Sequence, residues 1–365
     1  MEELVKSAHR GGSAIQQPAP MRVLVTGADG FIGSVMTPLL AERGFDVVGV
    51  DTGFYRAGLL YHDGMNRPAM LTRDIRSLTA RDLEGFEAVV HLAELSNDPL
   101  CQHDPKKTYE INHLGSVALA KAAKEGGVSR FVYASSCSIY GAAADGARNE
   151  DSEPNPQTAY AHCKMLVERD VRELADGNFS PTFLRNATAF GASPRMRFDI
   201  VLNNLAGLAW TTGRITMTSD GMPWRPLVHV QDIGEAVAAT LEAPRETVSN
   251  QILNVGDNDN NYRVREIAEA IGEVFPNCKI EFGNNGGDNR SYRVEFDKIR
   301  HVLPGFKCRW DARRGARQMR SLFEHIAMSE SDFIAPPFTR LKELQHLLQT
   351  RQIDADFHWR PHAFS

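Results

Sequence analysis

The chain has 365 residues, 42 % of them apolar and 24 % charged, a globular composition far from the disordered or collagen-like extremes. A net charge of −5 lacks the basic footprint of a general nucleic-acid binder. The five cysteines (Cys101, Cys137, Cys163, Cys278, Cys308) are irregularly spaced, with no CxxC pair; this argues against a metal site or a disulfide framework and suits a reducing cytoplasm.

No apolar run reaches the roughly 18–20 residues of a membrane span. Residues 1–20 lack the apolar core of a signal peptide and read as a flexible tail. Residues 22–26 (RVLVT) then form a short apolar run, predicting a first strand. A helical pattern follows through Ile32, Val35, Met36, Leu39 and Leu40. A second strand, Asp46–Val50, ends in Asp51. Further strands are expected at Ala88–His91 and Arg130–Ala134, with a helix over Pro105–Glu125 before the latter. Such alternation implies βαβ units, hence an α/β fold with a Rossmann-like, doubly wound parallel sheet and right-handed crossovers. After Glu150 the pattern loosens. A loop at Pro154 and Pro156 precedes a helix at 158–176, and strands are expected at 182–185 and 251–255. Segments 195–230 and 257–310, rich in Gly, Asn and Arg, suggest a smaller lobe on the sheet's carboxyl edge. A last helical pattern, Arg340–Leu348, places Leu341, Leu344 and Leu348 on one face. It suits either docking on its own domain or a subunit contact.

The first strand runs into Thr26-Gly-Ala-Asp-Gly-Phe-Ile-Gly33. Gly27 permits a tight turn, Gly30 lets backbone approach a pyrophosphate, and Gly33 lets the helix pack on the strand. The helix start offers N–H groups and a positive dipole end to phosphates. Asp51, about 20 residues on, is placed to bind ribose hydroxyls and would repel a 2′-phosphate, which favours NAD over NADP. Tyr160 and Lys164 are four apart on a predicted helix and share a face. An ammonium near a phenol lowers the phenol's pKa, so Tyr160 is a candidate base for a substrate hydroxyl.

These residues together resemble the extended short-chain dehydrogenase/reductase family, in its nucleotide-sugar epimerase/dehydratase branch, over roughly residues 21–325. TGADGFIGS at 26–34, including Phe31 and Ile32, is similar to the family's TGxxGFIG turn. Asp74-Ile75 resembles the pair that contacts adenine, and His91-Leu92-Ala93 the strand end beside the cofactor. Asn112 occupies the family's helix asparagine position, and Ser136, Tyr160 and Lys164 the catalytic trio. Asn186 in RNATAFG and Arg225 in RPLVHVQD resemble sugar-nucleotide contacts, while Asp232 precedes a helical pattern as an N-cap would. Arg290 and Arg293 suit a diphosphate, because guanidinium forks match phosphate oxygens. The resemblance implies NAD as cofactor, a nucleotide-diphosphate sugar as substrate and a homodimer; the acidic balance and the lack of a long apolar run argue against a nucleic-acid or membrane partner. The resemblance divides the chain into a tail (1–20), an NAD-binding domain (21–185), a sugar-nucleotide lobe (186–330) with one or two elements returning to the sheet, and an extension (331–365).

The family's shared chemistry is transient oxidation of a sugar hydroxyl, usually at C4. Where dehydratases carry Asp and Glu after the catalytic Ser/Thr, this chain has Cys137 and Ser138. That pattern resembles a 4-epimerase better. Cys137 is either an unusual acid–base group or a buried space-filler. The loop Glu94-Leu-Ser-Asn-Asp-Pro99, through Ser96, Asn97, Asp98 or Glu94, is placed to touch the sugar, and Arg195–Asp199 to cap its pocket. No metal site is expected. The alternatives are a 4-ketosugar reductase, an atypical dehydratase using Cys137, and a non-catalytic dinucleotide sensor.

Overall fold

Seven short runs rich in aliphatic residues pair side by side in parallel: β1 (Arg22–Thr26), β2 (Asp46–Asp51), β3 (Ala69–Thr72), β4 (Ala88–His91), β5 (Arg130–Ser136), β6 (Ser180–Asn186) and β7 (Ile252–Val255). The computed structural model describes residues 19–361, except 97, 143–145, 285–289 and the side chains of 100 and 103; the greater part of the expected tail lies outside the described residues. Strand order is β7-β6-β5-β4-β1-β2-β3. Order reverses between β1 and β4, so the carboxyl ends of those strands open a crevice.

Helices cover both faces, which explains why β4 is buried along its whole length. On one face α1 (Gly33–Glu42) packs against α4 (Val230–Glu242), joining Met36, Leu40, Ile233 and Val237 to Val23 and Val25. On the other, α2 (Ser116–Glu125) and α3 (Ala159–Arg172) bring Leu119, Ala123, Val167 and Val171 against Phe131 and Phe183. The edge strand β3 is exposed throughout. No helix among the described residues is long and apolar enough to cross a membrane.

The helix expected over Pro105–Glu125 is not uniform. A turn at Pro105–Thr108 passes into a π-helical stretch, Tyr109–Gly115, before α2. That wider turn surrounds Asn112, whose buried amide accepts from Leu95 N and donates to Leu95 O, both at 2.8 Å. The helix expected at 158–176 ends at Arg172.

Beyond β6 the chain forms a three-stranded sheet from Thr188–Phe190, Trp224–His229 and Asn261–Arg263. Its second core includes Phe190, Leu202, Leu227, Ile267 and Phe323. β7 and α4 come from this half of the sequence yet belong to the large sheet's layers. The last segment docks on its own chain. In α5 (Arg340–Gln349), Leu344 and Leu347 are buried with Ile353 and Phe357 against Phe54, Leu95 and Ile111. Leu341 and Leu348 are only partly buried at the same cluster.

Candidate active site

The turn after β1 is shaped by backbone contact. Gly27 has φ +71°, and a Cβ there would lie 2.8 Å from Ala93 N; a Cβ at Gly33 would lie 2.2 Å from Gly27 O. No larger residue fits between helix and strand. The N–H groups of Phe31 and Ile32, just before α1, donate to no described backbone group, leaving donors for an anion. Asp51 accepts from Gly53 N at 2.7 Å and Asp29 N at 3.1 Å, and burial pushes its carboxyl pKa up. Gly27, Gly30, Phe31, Ile32, Gly33, Asp51, Asp74, Ile75, Leu92 and Ala93 all line one cleft, of about 1020 Å³. Asp74 is also forked onto Arg76, at 2.7 and 3.1 Å.

A second cleft, of about 1660 Å³, adjoins the first through Ile32, Leu92, Glu94, Ser96 and Arg197. Ser136, at the end of β5, and Tyr160 and Lys164, one turn apart on α3, line it. Thr158 caps α3 by accepting from Ala161 N, and donates to Asp98 at 2.6 Å. The Tyr160 phenol is held above its ordinary pKa by burial first, then by the charges of Glu94 and Asp98; its hydrogen bond with Ser136 acts the other way.

The Lys164 ammonium lies beside the phenol, 5.5 Å from the Tyr160 ring centroid, and is paired rather than free. Its Nζ donates to Ala134 O and lies 2.8 Å from Glu94 Oε2, with both side chains buried. Tyr133 donates to the other Glu94 oxygen at 2.5 Å. Glu94, one of the loop residues expected to touch the sugar, lines the second cleft and is there the counter-ion of Lys164, because an unpaired buried charge is costly. Burial raises the Glu94 pKa, and Lys164 opposes that rise.

Ser96, Ser138, Asn186, Arg225 and Arg290, expected to contact the sugar nucleotide, all line this second cleft. Among the described residues Ser138 Oγ and Asn186 Oδ1 are buried with no hydrogen-bond partner, so a ligand's hydroxyls could satisfy them. Arg290 pairs with Asp98, and Arg225 donates to Arg290 O. Arg197 forks onto Asp199 at 2.8 and 3.2 Å and also reaches Ser96 Oγ at 3.2 Å. Asn97 lies outside the described residues.

Four expected roles are not matched by position. Cys137 is fully buried behind β5, donates to Arg185 O at 3.1 Å, and lines neither cleft; burial raises its thiol pKa. The 3₁₀ turn after Ser136 directs it into the core. Asn112 staples the Leu95 backbone instead of facing the cofactor cleft. Arg293 is exposed, its guanidinium 5.3 Å from the Trp224 ring centroid, because its short strand pairs with Ala147–Arg148 away from the cleft. Asp232 is no N-cap: His229 caps α4, and Asp232 accepts from Arg309 N and Trp310 N. Sequence reasoning missed Arg340, which lines the first cleft; only the fold brings it there.

A sequence profile described as the NAD dependent epimerase/dehydratase family matches residues 23–256. The chain belongs to this family. It is an NAD-dependent enzyme of the extended short-chain dehydrogenase/reductase type. It is 25 % identical over 338 residues to a UDP-glucose 4-epimerase of Bacillus subtilis (strain 168), spanning 82 % of this chain and 94 % of that one. A UDP-glucose 4-epimerase of Lactobacillus helveticus is 28 % identical, over 78 % and 91 % of the two chains. Among solved structures, MoeE5 in complex with UDP-glucuronic acid and NAD superposes with a TM-score of 0.72 at 28 % identity, covering 83 % of this chain and 99 % of its own.

Proposed function

We propose that the protein is an NAD-dependent nucleotide-sugar epimerase that inverts C4 through a transient 4-ketone. The observation that carries this reading is the state of the carboxylates around the cleft: Glu94 is bound to Lys164, Asp98 to Arg290 and Asp199 to Arg197. Each is committed to a cation, and the two positions after Ser136 hold a buried thiol and a hydroxyl. Elimination of water needs a further acid–base pair over the ring, and these carboxylates are not free to supply it. Inversion needs one proton-transfer group, and Tyr160 with Ser136 provides it. The UDP-glucose 4-epimerase relatives support the same choice.

In this mechanism Tyr160 Oη takes the proton of the sugar hydroxyl and later returns it. Ser136 Oγ holds the same oxygen and stabilises the phenolate. NAD, when bound, accepts and returns the hydride, and its nicotinium charge favours the phenolate that burial and Glu94 oppose. Lys164, fixed by Glu94 and Ala134 O, supplies donors beside the ribose. Asn186, Ser138 and Arg225 orient the sugar nucleotide, and Ser96, which accepts from Arg197, stands where the two clefts meet. The enzyme works as a homodimer in the cytoplasm. The dimer is supported by Leu114, 60 % exposed beside the neighbouring helices α2 and α3, and the compartment by five free thiols.

The test is to incubate the protein with UDP-hexoses and UDP-uronic acids in deuterated water, with no added cofactor. The expected result is a C4 epimer of unchanged mass, with no net NADH. Deuterium at C5, or loss of water from the sugar, would overturn the C4 reading. Tyr160→Phe should lower kcat by ~10²–10⁴-fold while leaving NAD bound.

A further inference from the structure

The cofactor cleft receives a cation from outside the region matched by the family profile. That match ends at residue 256, whereas Arg340 is the first residue of α5, in the C-terminal segment. Its side chain is almost fully buried, 3 % exposed. It lines the same cleft as Gly30, Phe31 and Asp51. The guanidinium carbon stacks 3.8 Å above the Tyr55 ring. Among the described residues no carboxylate lies within 4 Å of it, and no group accepts a hydrogen bond from it; its backbone N–H alone is used, by Asp199 Oδ2 at 3.1 Å. Asp199 is already forked onto Arg197, and Asp51 is held by backbone N–H groups. Burial and the like charge of Arg197 pull the Arg340 pKa down to about 10. A buried guanidinium with five donors and no acceptor is costly unless an anion completes it.

The position identifies the anion. Asp51 marks the adenosine ribose end of the cleft, and Tyr160 and Lys164 the nicotinamide end. Between them lie the free N–H groups of Phe31 and Ile32. A dinucleotide spanning these ends sets its diphosphate beside that turn. We propose that Arg340 binds the diphosphate of the bound dinucleotide, and that the C-terminal segment is thereby a working part of the cofactor site.

The segment is fastened on both sides of Arg340. Phe198 N donates to Phe338 O at 2.9 Å, and Trp359 Nε1 to Thr52 O at 2.7 Å, next to Asp51. Lys107 bonds Asp356 at 2.6 Å and Arg76 bonds Asp356 O at 2.9 Å. The segment therefore crosses the adenosine side of the cleft as a strap, and Arg340 is its inward-facing charge. The inference rests on NAD occupying the cleft, not on the epimerase reading.

The test uses the full chain stripped of nucleotide, titrated calorimetrically with adenosine, ADP and ADP-ribose. For Arg340→Met the affinity for ADP and ADP-ribose should fall by ~10–100-fold, as for loss of a charge-assisted phosphate contact, and that for adenosine by less than about twofold. Arg340→Lys should recover part of the loss. Equal losses for adenosine and ADP-ribose would overturn the proposal and make Arg340 a structural residue; so would no loss at all. Should Arg340→Met fail to fold, hydrogen exchange on the unaltered protein decides: ADP-ribose should slow exchange across 338–349 and adenosine should not. Equal protection by both ligands would overturn the proposal. No binding of ADP-ribose by the unaltered protein would instead refute NAD as the occupant.

Discussion

The two clefts are built by different means. The phosphate-binding turn of the cofactor side is one contiguous stretch, 26–33, whose shape comes from close backbone packing: a Cβ at Gly33 has no room beside Gly27 O, and the Asp51 side chain accepts from Asp29 N. The sugar side is assembled from distant segments and held by charge. Asp98 pairs with Arg290, 192 positions away, Arg225 is tied to Arg290 O, and Glu94 meets Lys164 across two elements. Steric fit is set locally and tolerates no change of size, whereas paired charge depends on the whole fold and fails when either partner is removed.

Substitutions on each side test that contrast. The largest effect is expected for Glu94→Gln, which strands Lys164 in a buried site. Breaking such a pair costs ~3–5 kcal/mol, measurable by denaturant unfolding. The same change removes a negative charge that raises the Tyr160 pKa, so the acid limb of the kcat/KM profile should move to lower pH. An unchanged profile would show that Glu94 does not act on the phenol. Gly33→Ala should cost ~1–3 kcal/mol by overpacking and release NAD, whatever the ionic strength. A Gly33→Ala protein purified with full NAD content would break the steric account of the turn. Asp98→Asn should raise KM for the sugar nucleotide about tenfold, because Arg290 and Thr158 lose a common anchor, and should shift the acid limb to lower pH less than Glu94→Gln does, since Asp98 is the lesser of the two charges raising the Tyr160 pKa; an unchanged KM would show that Asp98 anchors neither residue. The smallest effect is expected for Cys137→Ala: activity within about twofold, and about 1 kcal/mol of stability lost to the small cavity. A hundredfold loss of turnover would return Cys137 to the mechanism.

The same contrast explains what could be read from the chain. The glycine turn, Asp51 and the Tyr160–Lys164 spacing are local patterns, and strand and helix periodicity marked β1, β2, β4, β5 and the two strands that flank the lobe. The π-helical stretch was not legible, because it depends on Asn112 meeting the Leu95 backbone. The burial of Cys137 depends on a single 3₁₀ turn. Arg290 lines the second cleft from the segment before the short strand, whereas Arg293 begins that strand and is exposed, a difference that three residues of sequence do not show. Glu94 had a signal that local patterns miss: a buried Lys164 requires a counter-ion, and the loop after β4 held the carboxylates to supply one. Arg340 had none, since nothing near it in sequence relates α5 to a turn more than 300 residues upstream.

The two hydrogen bonds of Asp51 also bear on how this enzyme can evolve. The carboxylate proposed to meet the adenosine ribose is the same group that ties Gly53 N and Asp29 N together. Exchanging it for a smaller or basic residue, to admit a phosphorylated ribose, would untie the loop that shapes the neighbouring phosphate cradle. Nucleotide preference is therefore not an independently adjustable trait here. A lineage drifting toward the other cofactor must first find a second way to hold the turn, and the intermediate without one binds neither nucleotide well.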